Sequence, residues 1–167
     1  MPRAFAEDTV VPISKTRAEI DDLLRAWKAD GIRWTEDRAG GRFVLEFLWA
    51  HEKAQYLARF IVAMPDEKTL RARSLHAKTR LVVESKLRRA RELAGRHEHR
   101  VLLLWLKACF NAVHAKLTTP EAVFLPFLVG ADGRTVAESV LPQMGKLLTG
   151  TGAQLFLPPP PEVEVER

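Results

Sequence analysis

The 167 residues predict an α+β fold, a three-stranded antiparallel meander packed against helices. Three stretches carry that reading. Ile20, Leu23, Leu24 and Trp27 recur at helical spacing and form one apolar face. Residues 32 to 63 alternate in polarity with a period of two and are broken by turn residues, as in strands joined by short loops. Residues 100 to 117 are apolar on most sides, the pattern of a central core helix or of one face of an oligomer.

Taken in order, residues 1–13 read as a loose arm, 14–148 as one α+β domain and 149–167 as a disordered, proline-rich acidic tail. Thr16 followed by Glu19 has the capping-box spacing and predicts the start of the first helix, with Gly31 as its stop. Strands are expected at 32–37, 42–50 and 54–63, with a hairpin turn at 38–41 and a second turn at 51–53. On the second strand Phe43, Leu45, Phe47 and Trp49 share a face; on the third, Tyr56, Ala58, Phe60 and Val62 do. Glu46 and Arg59 are expected as cross-strand neighbours. An uncovered sheet this apolar would aggregate, so helices must cover one face. Later on, Thr118, Pro120 and Glu121 predict the cap of a short helix. Residues 130–133 predict a turn, and 135–148 a last helix with Val136, Val140, Met144 and Leu147 facing inward and Pro142 kinking or dividing it.

The charge is concentrated. Between Lys68 and Arg100 there are eleven Lys and Arg against three acids, a local balance of +8, while the whole chain is +5 and the remainder therefore −3. Gly95 is the one breaker in this stretch, which reads as a long basic helix or as two with a break near that glycine. Most basic helix faces are simply solvated or paired with neighbouring acids. Against that, arginine is the majority cation here, and its planar fork suits phosphate.

Other chemistry finds little footing. Glu46, Glu52, Asp66 and Glu67 lie at or near strand ends without the spacing of a nuclease site, and turns and a cross-strand ion pair account for them. His97 and His99 are two apart, with His76 and His114 elsewhere and a single cysteine, so no zinc-site spacing is present. Cys109 inside the apolar helix reads as a small core residue. No glycine-rich phosphate loop opens a helix. The expectation is a non-enzymatic protein with no catalytic residue, metal or cofactor. The apolar run 101–113 is interrupted by Lys107 and Asn111 and is too short to cross a membrane, and no secretory leader opens the chain, so a cytoplasmic protein of a bacterial host cell is expected.

Sequence-independent nucleic-acid binding needs a cationic track along the phosphates and aromatics on which unpaired bases stack. The track would be Arg71, Arg73, Lys78, Arg80, Lys86, Arg88, Arg89 and Arg91; the stacking residues would be Trp34, Trp49 and Tyr56 on the meander. Aromatics at strand alternation are more often core than base platforms, and no sequence-specific duplex-reading motif is present. Single-stranded DNA (or RNA) is the expected partner, with self-association through the 101–117 helix. The tail glutamates Glu162, Glu164 and Glu166 would serve as a competitor for the basic site, a protein-recruiting tip or a linker. The alternative is a structural or interaction module that docks on an acidic partner without nucleic acid.

Several blocks resemble an uncharacterised family of small bacteriophage and prophage proteins. They are ThrArgAlaGluIle (16–20) leading to Trp27, the leucine run in Arg100 to Lys107, ThrThrProGluAlaValPheLeu (118–125) and AspGlyArgThrVal (132–136). The resemblance covers the helical framework and little of the basic connector. It implies only a phage or mobile-element origin and no activity; phage replication or recombination is the setting expected for the nucleic-acid binder.

Overall fold

The architecture follows from one sheet face that is almost wholly apolar. A computed structural model describes residues 9–37, 41–52, 54–64, 68 and 80–149. Helix α1 (Ile13–Ala26) leads into strands β1 (Gly31–Asp37), β2 (Arg42–His51) and β3 (Ala54–Ala63). A 35-residue helix α2 (Arg80–His114) follows, then the short α3 (Pro120–Phe124), a 3-10 turn (Leu125–Phe127) and α4 (Val136–Thr149). The sheet is an antiparallel meander in the order β1-β2-β3, so the α+β expectation holds. The expected hairpin at 38–41 is described only at Gly41, and the connector 69–79 and residues 150–167 lie outside the described residues.

Pairing sets the faces. Ile32 opposes Phe47 and Trp34 opposes Leu45; Leu45 in turn opposes Phe60, Phe47 opposes Ala58 and Trp49 opposes Tyr56. Residues directly opposite share a face. All of these therefore lie on the inner side with Phe43 and Val62, against α1, α2 and α3. The outer side carries Arg33, Thr35, Val44, Glu46, Leu48, Leu57, Arg59 and Ile61.

Phe124 closes the core. It is 1% exposed and its ring meets those of Phe47, Trp49, Phe60, Trp105 and Phe110 at centroid separations of 5.4–6.2 Å. Beside it, Phe127 stacks on Phe60 at 4.4 Å. Thr119 caps this short helix by accepting from the Ala122 amide (3.2 Å), and Pro120 takes the first helical position, where no amide is needed. The cap is thus Thr119, not Thr118.

Several boundaries differ from the sequence reading for local reasons. α1 begins one turn before the expected cap: Thr16 is fully buried inside the helix, and its hydroxyl reaches the Pro12 carbonyl at 3.5 Å. The helix stops before Gly31. Ala29 donates to Leu24 and Lys28 to Arg25, with Lys28 in the left-handed region (φ 62°), a cap usually given to glycine. α2 ends the same way on Lys116 (φ 58°), where Leu117 donates to Ala112 and Lys116 to Val113. α2 runs unbroken through Gly95, where a side chain would crowd Ile13 of α1, so from Arg80 on the basic segment continues into the apolar one without a break.

The β3 edge is partly covered: Leu128 bridges to Ala58, and the Val129 amide donates to Leu57 (2.8 Å). The turn at 130–133 then delivers Thr135, whose hydroxyl accepts from the Glu138 amide while the Glu138 carboxylate accepts from the Thr135 amide, a reciprocal cap that starts α4. Pro142 sits inside α4 without dividing it. Contrary to expectation, Val140 and Met144 of α4 are exposed, while Val136 is half-buried and the side chain of Leu147 is not among those described.

Replacing Phe124 with Ala removes the ring common to five aromatic contacts. The expected cost is about 3–5 kcal/mol, read as a lowered urea midpoint with a cooperative transition.

Candidate nucleic-acid interface

The site expected from sequence has two halves, a cationic track and an aromatic platform, and the fold treats them differently. The aromatic half is consumed by the core. Trp49 is 8% exposed and stacks on Tyr56 at 5.3 Å. Trp34 donates its indole N–H to Asp21 of α1 (2.9 Å), with the Arg17 guanidinium 4.8 Å from its ring centroid. Phe43, Phe47 and Phe60 share that inner face. Every described aromatic of the sheet thus points at the helices, and the opposite face offers none for base stacking. Trp49 is a core residue, and Trp34 and Tyr56 are half-buried against the core on the same face. The alternation that marked them as a set also committed them to one side.

The cationic half is in part available. From Glu84 to Leu93, α2 is exposed except for buried Leu87 and half-buried Ala90, and no member of the main core cluster on this helix precedes Leu102. Lys86, Arg88 and Arg89 are exposed here and, with Ser85 and Glu92, bound an open recess of about 340 Å³. At 3.6 residues per turn these three cations span about 160° of the helix circumference, so they share one half of the helix surface. Arg91 lies further round and already has an interaction partner. The C-terminal cations of the run are neutralised: Arg96 pairs with Glu92, and Arg100 with Glu19 of α1 (3.0 Å). Arg80 opens α2, while Arg71, Arg73 and Lys78 lie outside the described residues.

Below this segment a buried polar cluster ties the long helix to α1. His99 is fully buried. Its Nε2 accepts from Arg17 Nε (3.1 Å), so the ring proton is on Nδ1, which donates to the Gly95 carbonyl (2.7 Å). Arg17 also lies over Trp34 and Phe43, 4.7 Å from the latter's centroid. Burial lowers the His99 pKa; the Gly95 contact opposes that and the Arg17 charge adds to it. Sequence reading had weighed His99 only as a metal ligand. A histidine within an apolar helix facing an arginine on a neighbouring helix has no sequence signature of its own.

The acids singled out earlier are structural where described. Glu46 opposes Arg59, as expected, and is held between Arg59 (2.8 Å) and Arg33 (2.6 Å). Burial alone would raise its pKa, but the hydrogen bonds and charges of the two guanidinium groups outweigh that and hold it below the usual carboxylate range. Arg59 also donates to the Gly133 carbonyl (2.8 Å), tying the outer sheet face to the turn before α4. Glu52 occupies the β2–β3 turn at φ 55°. Cys109 is buried, which pushes its thiol pKa up and away from nucleophile chemistry. Among the described residues no three His, Cys, Asp or Glu gather as a metal site, and no helix is long and apolar enough to cross a membrane.

These features define an α+β meander protein with an extended, cationic helix segment beyond its core. No protein-family model, curated protein or solved structure matches the chain.

The His99 arrangement has a signed pH consequence. A buried histidine with a lowered pKa stabilises the fold fully above its unfolded value of about 6.5, and that contribution is lost as pH falls below this value towards the folded pKa. The urea midpoint should therefore drop as the pH falls below about 6.5, and His99→Gln should flatten that slope.

Proposed function

We propose that this chain is a non-enzymatic nucleic-acid-binding protein that grips the phosphate backbone, without reading sequence, through the largely exposed stretch Glu84–Leu93 of α2. The observation that carries this reading is the gathering of Lys86, Arg88 and Arg89 on one half of an exposed helix, within the stretch that holds a local charge of +8. Counterion release from phosphates supplies sequence-independent affinity without base contacts. Arg71, Arg73, Lys78 and Arg80 extend the track on sequence grounds. With the sheet aromatics engaged in the core, base stacking is no longer part of the mechanism. Single-stranded DNA or RNA and duplex thus compete for the site on charge density and shape. Were the origin of the chain a phage or mobile element, this binding would serve replication or recombination inside a bacterial cell.

A second reading, an interaction module, is favoured by apolar side chains facing away from the core. Leu93, Val101 and Leu104 on α2 and Leu141 on α4 are each 38–62% exposed. Self-association through the 101–117 segment would cover Val101 and Leu104 of α2 and is compatible with either reading.

Exchanging Lys86, Arg88 and Arg89 for Glu in one variant should weaken oligonucleotide binding at least tenfold at low salt. The slope of log K against log salt should fall by about 2–3, as expected when three phosphate contacts are removed. Unchanged affinity and slope in a gel-shift titration, with circular dichroism intact, contradict the proposal and leave the interaction module.

A further inference from the structure

The basic recess on α2 has a complementary segment in its own chain. Residues 162–167 read GluValGluValGluArg, with acids at 162, 164 and 166. In an extended chain, alternate residues project to one side about 6.6 Å apart. Lys86 and Arg89, one helical turn apart, have Cβ atoms about 5–6 Å apart, so adjacent glutamates and adjacent cations are spaced alike. The recess between them is open, and its single acid, Glu92, is already paired with Arg96.

The tether is long enough. Arg59 touches the turn that starts α4, β3 runs five residues from Arg59 to Met64, Met64 faces Gly95, and Arg89 lies six helical residues from Gly95. That path places the start of α4 about 30 Å from the recess, and α4 itself adds up to about 20 Å before the tail leaves at Thr149. The fifteen residues from Thr149 to Glu164, the middle of the acidic segment, span up to about 50 Å.

We propose that the acidic segment 162–166 docks on Lys86, Arg88 and Arg89 and occupies the surface that nucleic acid would take, so that the chain carries its own competitor. The inference concerns regulation of the site in Proposed function and rests on that reading. A tethered segment that reaches the site sees it at an effective concentration of up to about millimolar, so a weak, screened contact competes at low salt and not at high salt.

The test uses the full chain with Glu162, Glu164 and Glu166 all changed to Gln, compared with the unaltered chain by fluorescence anisotropy with a labelled oligonucleotide. The neutralised chain should bind about three- to tenfold more tightly near 50 mM salt, with the difference vanishing near 300 mM. Equal affinity at low salt, with both chains binding, overturns the inference and leaves the nucleic-acid reading intact. A zero-length carboxyl–amine cross-link, mapped by mass spectrometry, reads the contact without nucleic acid. If neither chain binds oligonucleotide, the nucleic-acid reading falls and the cross-link alone decides. Glu162, Glu164 or Glu166 joined to Lys86 supports the docking, and no such link overturns it.

Discussion

The packing of Phe124 into the aromatic face of the meander is the constraint on which the rest depends. A sheet with a period of two has one choice to make, and once Leu45, Phe47 and Phe60 are buried every partner in register follows them inward. The short helix that carries Phe124 supplies the ring that fills the space between the sheet and α2. The functional consequence is negative and specific. The outer face of the sheet is built from Val44, Leu48, Leu57, Ile61 and the Arg33–Glu46–Arg59 ion cluster, and it presents no aromatic ring for a base.

That constraint moves the question to α2. A helix about 52 Å long cannot be covered by a core this size, and the polar cluster of Arg17, His99, Trp34 and Asp21 marks where coverage begins to give way. Beyond it, Arg100 and Arg96 are tied to carboxylates, and the charge becomes available only from Glu92 towards the N-terminus. The helix therefore does two jobs along one axis: Leu103, Leu106 and Phe110 build the core at one end, and Lys86, Arg88 and Arg89 face solvent at the other.

The meander was legible because alternation is a short-range signal: β3 begins and ends where its polarity pattern does, and Glu46 meets Arg59 as the register demands. What was illegible depended on contacts between distant residues. Thr16 has the spacing of a cap but is needed inside the core, so α1 starts at Ile13 instead. Gly95 looks like a breaker, yet its missing side chain lets Ile13 and Met64 approach the helix closely. Lys28 and Lys116 end helices in a conformation that sequence rules reserve for glycine. At the site, the cations could be found by counting, but their division into exposed and neutralised groups depended on Glu19 and Glu92. Which strand face the aromatics occupy could be read from alternation, but how far that face is covered depends on the helices packed against it.

The account holds that this chain meets nucleic acid by phosphate contact from α2 while its tryptophans stay in the core. Recording tryptophan emission together with the anisotropy of a labelled oligonucleotide during one titration, at two salt concentrations, tests both parts at once. The account predicts a rise in anisotropy that is lost as salt increases, with the tryptophan emission unchanged. Strong quenching on binding, or no rise in anisotropy at the lower salt, would contradict it.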